Sequence, residues 1–175
     1  MTAYATTRPE KTEYPAYAEG YVSRVPDGDI VGIFRSQLDE TLALIKSIPE
    51  ARGDYRYAEG KWSIKEVIGH VIDSERIFAY RALRFARGDS TPLSGFEQDD
   101  YVPNGSFNKR TLSDLADEYE HVRRSTISLF ASLEPEAWDR RGSANNNESS
   151  VRALCFIIAG HERHHVEILR TRYAQ

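Results

Sequence analysis

One cysteine stands in the chain, Cys155, and it lies inside an apolar run. No intramolecular disulfide can form, and a reducing compartment is the natural setting for such a sequence. Nor is there any excess of positive charge. The 23 basic residues face 27 acidic ones, for a net charge of −4, which removes the electrostatic case for binding nucleic acid or an anionic membrane. The longest apolar stretch, ALCFIIAG, is far too short to span a bilayer. The opening segment, MTAYATTRPEKTEYPAYAEGY, has no apolar core of the kind a secretory signal requires. These absences together predict a cytoplasmic protein with no membrane and no nucleic-acid partner. Alternating strand patterns and internal repeats are missing as well, so no sheet is expected.

What remains is an ordinary soluble composition, 40% apolar, 29% charged and 11% aromatic over 175 residues. That length predicts one domain over 1–175 with a sizeable core. Residues 1–26 are rich in Pro, Gly and Tyr without helical period. They read as an irregular arm that Tyr4, Tyr14, Tyr17 and Tyr21 pin to the body, because tyrosine covers apolar surface while its hydroxyl stays wet.

Four amphipathic patterns follow. The first runs over 29–48, with Ile30, Phe34, Leu38, Leu42 and Ile45 on one stripe, and Pro49 stops it. The second opens at WSIKE, where Ser63 and Glu66 make a capping box, and continues for about 25 residues to near Gly88. The third covers about 111–133, with Thr111 and Asp114 as its start signal, and the fourth about 150–172. Two long stretches, TPLSGFEQDDYVPNGSFNKR and EPEAWDRRGSANNNESS, have no period and read as loops. The expectation is all-α: a four-helix bundle with long connecting loops and an irregular N-terminal arm.

The chemistry concentrates in GHERHHVEIL, where three histidines fall between His161 and His165. His161-Glu162-Arg163-His164-His165 satisfies the H-E-x-x-H zinc-protease signature literally. Such a protease takes a third ligand from further along, and here Ile168 and Thr171 occupy the positions that the extended pattern gives to Gly and His. The match of Glu162 to a general base is therefore read as coincidence. Leu154, Ile158, His161, His165 and Ile168 fall at steps of three or four, so the two histidines share one inward face. Buried neutral imidazoles side by side ask for a hydrogen-bond partner or a metal. Upstream, only His70 and His121 could complete a site. His121 falls off its helix's apolar stripe, whereas His70, in EVIGHVIDSE, borders one. A site of His70, His161 and His165 is the best geometric proposal, with His164 rotated off their direction as a lining or supporting residue.

KWSIKEVIGHVIDSE, FARGDSTPLSGFEQDDY and VRALCFIIAGHERHHVEILRTRY together resemble the DinB/YfiT-like superfamily, most closely its DinB_2 branch of metal-dependent hydrolases and thiol transferases. The G-H-x-x-D-S-E and G-H-E-x-H-H segments carry the resemblance. It implies a four-helix bundle, a divalent metal on His70, His161 and His165, and a homodimer. It also implies a small-molecule substrate, with a low-molecular-weight thiol as co-substrate in some members.

Three neutral imidazoles leave a bound metal at +2 with positions open, which suits activation of water or of a thiol. Zn or Ni come first for such a donor set, with Fe, Cu or Mn behind them. Hydrolysis and S-transfer both stay open, as does a helical dimer that binds metal without turnover, or a stress-associated one. Asp73, Glu75 and Glu162 are candidate supports for the ligands, against the plainer reading of solvated helix-face charges. Trp62, Phe96 and Tyr101 are candidate pocket walls, against plain core.

Overall fold

The helices begin where a side chain can accept a backbone N–H that the first turn leaves orphaned. In the computed structural model, which describes residues 7–173, a short α1 (Glu19–Val22) precedes α2 (Ile30–Ser47), α3 (Ile64–Ala86), a short α4 (Gln98–Asn104), α5 (Leu112–Ala131) and α6 (Val151–Arg172). Asp29 caps α2, Thr111 caps α5 and Ser150 caps α6 through their side-chain oxygens. At α3 the capping box forms in full: Glu66 N–H donates to Ser63 Oγ at 3.1 Å and Ser63 N–H donates to Glu66 Oε2 at 2.8 Å.

Helices α2, α3, α5 and α6 form a four-helix bundle in which α3 packs against α5 and α6, and α2 against α5 and α6. The expected stripe of α2 is buried at every position, Ile30, Phe34, Leu38, Leu42 and Ile45 alike. The apolar interior divides into two clusters. One gathers Phe34, Phe85, Phe130, Trp138 and the stretch from Leu154 to Ala159. The other gathers Leu42, Ile45, Ile64, Ile68, Leu115 and Leu169. Between them lies a polar layer of buried side chains, contributed by all four helices: Thr41, His70, Ser74, Glu75, Arg123, Thr126, His161 and Glu162. The functional residues are therefore at mid-height in the bundle.

Three segments depart from the sequence reading. Over its described residues the arm carries short helical turns: two 3-10 turns, Lys11–Glu13 and Ala16–Ala18, and then α1, which lies along α6 of the same chain. Tyr14 is buried and Tyr21 half-buried, but Tyr17 is 63% exposed, while Tyr4 lies outside the described residues. The first long loop contains α4 and the 3-10 turn Phe107–Lys109.

The second loop contains a β-hairpin, β1 (Arg141–Ala144) and β2 (Asn147–Ser150), in place of the flexible, strandless segment expected. Asn145 and Asn146 both take positive φ, 50° and 58°, as a two-residue turn matched to strand twist demands. Gly142 lets the hairpin lie on Phe85, since a Cβ there would stand 2.1 Å from the ring.

Candidate metal centre

Both helices that supply histidines carry a glycine one residue ahead, and each marks a close approach. A Cβ on Gly69 would stand 2.3 Å from the Phe107 ring, and one on Gly160 would stand 2.0 Å from the carbonyl oxygen of Tyr21. The ring of Phe107 therefore seats directly on α3 beside His70, and the arm seats on α6 beside His161. These contacts fix the two helices just where the imidazoles project.

His70, His161 and His165 converge as the spacing predicts. All three are buried, at 3%, 6% and 9% exposure, and one ring nitrogen of each lies within 4.8 Å of the others. The Nε2 atoms of His70 and His161 are 3.0 Å apart. Two imidazole nitrogens bound to one ion at ~2.0–2.1 Å stand roughly 3 Å apart, so the spacing fits a shared divalent cation. Burial and the neighbouring histidines hold these rings neutral. Burial first, then His164, pushes the His70 pKa down to about 4; burial, then His70 and His164, pushes that of His165 down to about 3. His161, the most enclosed, is held well below its ordinary value, again by burial and then by His165 and His70. Neutral imidazole is the form that ligates.

Aromatic side chains enclose the trio. The Trp62 ring sits 4.8 Å from that of His70, Tyr21 meets His161 edge-on at 5.3 Å, and Phe78 meets His161 at 5.9 Å. Trp62 thus packs its ring beside that of His70. Phe96 lies one ring further out, 6.4 Å from Phe78, and Tyr101 leans on Phe96 with 46% of its surface exposed. His164 is half-buried between Tyr21 and His165, at 5.7 and 5.0 Å, and lines the site. A cleft of about 280 Å³ opens beside His165 between Tyr57, Trp62, Asp99 and Tyr173. His121 is exposed, as expected, with Nδ1 on the carbonyl of Asp117 at 2.6 Å.

The carboxylates take a role that neither sequence reading anticipated. Glu75 and Glu162 are 3% and 1% exposed, so they are not solvated, and neither bonds a histidine. They flank Arg123, which is wholly buried: its Nε and Nη2 grip Glu75 at 2.8–3.2 Å and its Nη2 lies 2.5 Å from Glu162. Thr41 Oγ1 and Tyr119 OH also donate to Glu162, at 2.6 and 2.5 Å, and the guanidinium lies over the Phe34 ring at 4.7 Å. Glu162 thus points away from the metal site while its chain neighbour His161 points into it. Asp73 also misses the ligands, standing 3.7 Å from Arg76. Ser74 Oγ stands 3.5 Å from His70 Nδ1.

The sequence reading missed Arg123, Tyr21 and Phe78. Arg123 sits four residues after Tyr119 on α5, but its charge reads as solvent-facing in sequence.

Comparison with known proteins agrees with this architecture. A protein of Oceanobacillus iheyensis, provisionally named a metal-dependent hydrolase, is 26% identical over 135 residues, covering 76% of this chain and 75% of its own. Among solved structures, YfiT from Bacillus subtilis, described as a probable metal-dependent hydrolase with an unusual four-helix bundle topology, superposes with a TM-score of 0.69 at 12% identity, covering 94% of this chain and 92% of its own. A mycothiol-dependent maleylpyruvate isomerase superposes at 0.67 with 15% identity, over 83% of this chain and 61% of its own. At those identities the structures speak for the fold. No helix among the described residues is long and apolar enough to cross a membrane. The family model described as the DinB superfamily matches residues 33–169, and this chain belongs to that superfamily.

Proposed function

We propose that the chain is a metal-dependent enzyme in which His70, His161 and His165 hold a divalent metal, zinc or nickel by donor set, next to a cleft for a small molecule. The observation that carries this reading is the convergence of three buried neutral imidazoles from two helices, two of them only 3.0 Å apart at Nε2. A bound ion would act as a Lewis acid and would lower the pKa of water or of a low-molecular-weight thiol. The protein's own residues supply orientation and exclusion. Trp62, Phe78 and Tyr21 wall the rings from solvent, and the Gly69 and Gly160 contacts hold α3 and α6 at the required approach.

Hydrolysis of a small substrate is the first reading, in keeping with the provisional name of the Oceanobacillus relative. S-transfer is the second, suggested by the mycothiol-dependent structural neighbour. Any thiol must come from outside the chain, because Cys155 is fully buried and burial raises its pKa well above the ordinary thiol range.

The test is elemental analysis of tag-free protein after equilibration with a metal mixture, for wild type, His70→Ala and His161→Ala. Near-stoichiometric metal in the wild type and its loss in both variants is expected. Hydrolase and thiol-transfer screens on the loaded protein would then separate the two readings. Equal metal content in all three proteins, or none in any, would overturn the metal reading.

A further inference from the structure

Among the described residues, the buried charged side chains have an ion-pair partner, with one exception. Lys65 meets Glu50 and Asp54, and Arg123 meets Glu75 and Glu162. Glu66 meets Arg56, and Glu13 meets Arg152. Arg81 is 7% exposed, and among the described residues no carboxylate lies within ion-pair distance of it. Its hydrogen bond is a single donation from Nη2 to the carbonyl of Ser94 at 3.1 Å. The titratable group that bears on it is the phenol of Tyr17, not an acid. No nitrogen of Arg81 is among the buried atoms left without a partner, so its stem is packed while its head keeps contact with solvent, and five donors leave most of its hydrogen-bonding capacity open.

The position of Arg81 is what gives this exception meaning. Steps of four, four and three along α3 lead from His70 to Ser74, Phe78 and Arg81, all on one face. The guanidinium lies 5.8 Å from the Phe78 ring and 5.8 Å from the Phe96 ring. Phe78 is in turn the ring that meets His161 at 5.9 Å. Arg81 and His161 therefore both neighbour the ring of Phe78, beside a half-exposed aromatic rim of Phe96 and Tyr101.

We propose that Arg81 anchors the substrate, and that the substrate is a small monoanionic carboxylic acid with an apolar or aromatic body lying against Phe78 and Phe96. This rests on the reading of the trio as a metal site. A planar fork suits a carboxylate bidentately. Inorganic phosphate would suit the fork and a metal but has no apolar body to lay against Phe78 and Phe96, whereas the neutral amide has the body and no charge for Arg81 to pair. Arg24, near His164, is already held by Glu167 at 2.5 Å and does not share this role.

The test is calorimetric titration of full-length zinc-loaded protein with 3-phenylpropionate, its neutral amide and inorganic phosphate, for wild type, Arg81→Gln and Arg81→Lys. Wild type should bind the carboxylate at least tenfold more tightly than the amide or phosphate. In Arg81→Gln the preference over the amide should fall to about one with zinc content unchanged, while Arg81→Lys should keep part of it. Arg81→Met repeats the comparison should the glutamine variant not fold.

No saturable carboxylate binding by wild type, equal affinity for phosphate, or a preference retained in Arg81→Gln and Arg81→Met would each overturn the proposal. A preference abolished by chelation but indifferent to Arg81 would place the anion on the metal, refuting the anchor and sparing the metal reading. An Arg81-dependent preference in a protein that takes up no zinc would do the reverse.

Discussion

Replacing Arg123 with methionine should be among the most damaging single changes in this protein. The guanidinium is fully buried and serves two carboxylates, Glu75 and Glu162, which are themselves 3% and 1% exposed. Methionine keeps the stem volume but leaves both acids without their cation. Removing one partner of a buried ion pair costs about 3–5 kcal/mol, and for a chain of this size each kcal/mol moves the melting temperature by about 2–4 °C. A fall of roughly 6–20 °C follows.

The pH dependence is a sharper check. Burial already raises the pKa of Glu75 above its ordinary value, and Arg123 is the group that opposes the rise. Without Arg123 it rises further. A carboxyl group whose folded pKa lies above its unfolded value, about 4.3, destabilises the fold in full at high pH. That penalty fades as the pH falls through the folded pKa. Urea denaturation of Arg123→Met and wild type at pH 8 and pH 5 should therefore show the larger deficit at pH 8. A deficit below ~1 kcal/mol at pH 8, or one of equal size at both pH values, would refute the account of a buried charge cluster.

Other expectations follow from the same geometry. For metal-free protein, His70 and His165 take up protons only near pH 4 and pH 3 when folded, whereas the unfolded chain takes them up near 6.5. Folded pKa values depressed in a base mean stability lost as the pH falls from about 6.5 toward 4, at ~1.4 kcal/mol per pH unit for each histidine. Urea titrations of chelated protein should show that slope, made shallower by His165→Gln, and a slope unchanged by the substitution would contradict it. Gly160→Ala would gain helix propensity, yet its Cβ falls 2.0 Å from the Tyr21 carbonyl oxygen and 2.5 Å from its carbonyl carbon. A net loss of about 1–3 kcal/mol is expected from the overpacking, together with faster proteolysis of the arm, and wild-type stability would show that the arm does not hold to α6 as described.

The helices were legible because their signals are local. Ser63 and Glu66 announce the start of α3 within four residues, and the stripe from Ile30 to Ile45 repeats at one period. The histidine pair was legible for the same reason, since positions 161 and 165 share a face whatever lies opposite. Arg123 was not, because a charged residue on a helix reads as solvated until the two carboxylates that bury it arrive from α3 and α6. The hairpin escaped because RGSA and NESS carry no apolar alternation, so the Asn145-Asn146 turn stood without strand patterns around it. Helix α4 is only seven residues long and holds Pro103, and in sequence it is indistinguishable from a loop. Gly69 and Gly160 were readable as glycines in helices, but the atoms that need their space belong to Phe107 and Tyr21, far away along the chain.

The layer at mid-height has a further consequence, for axial alignment. Apolar side chains such as Leu, Ile and Phe on facing helices interdigitate almost as well after a slip of one turn. The polar layer does not tolerate such a slip. Displacing α6 along its axis by one turn, about 5.4 Å, would bring Ile158 or Val166 to the height of Glu162 and strand Arg123 against hydrocarbon. The same displacement would carry His161 and His165 past His70. The ion cluster and the histidine cluster thus read the same coordinate of α6 from two adjoining faces of that helix, and a helix set correctly for one is set correctly for the other.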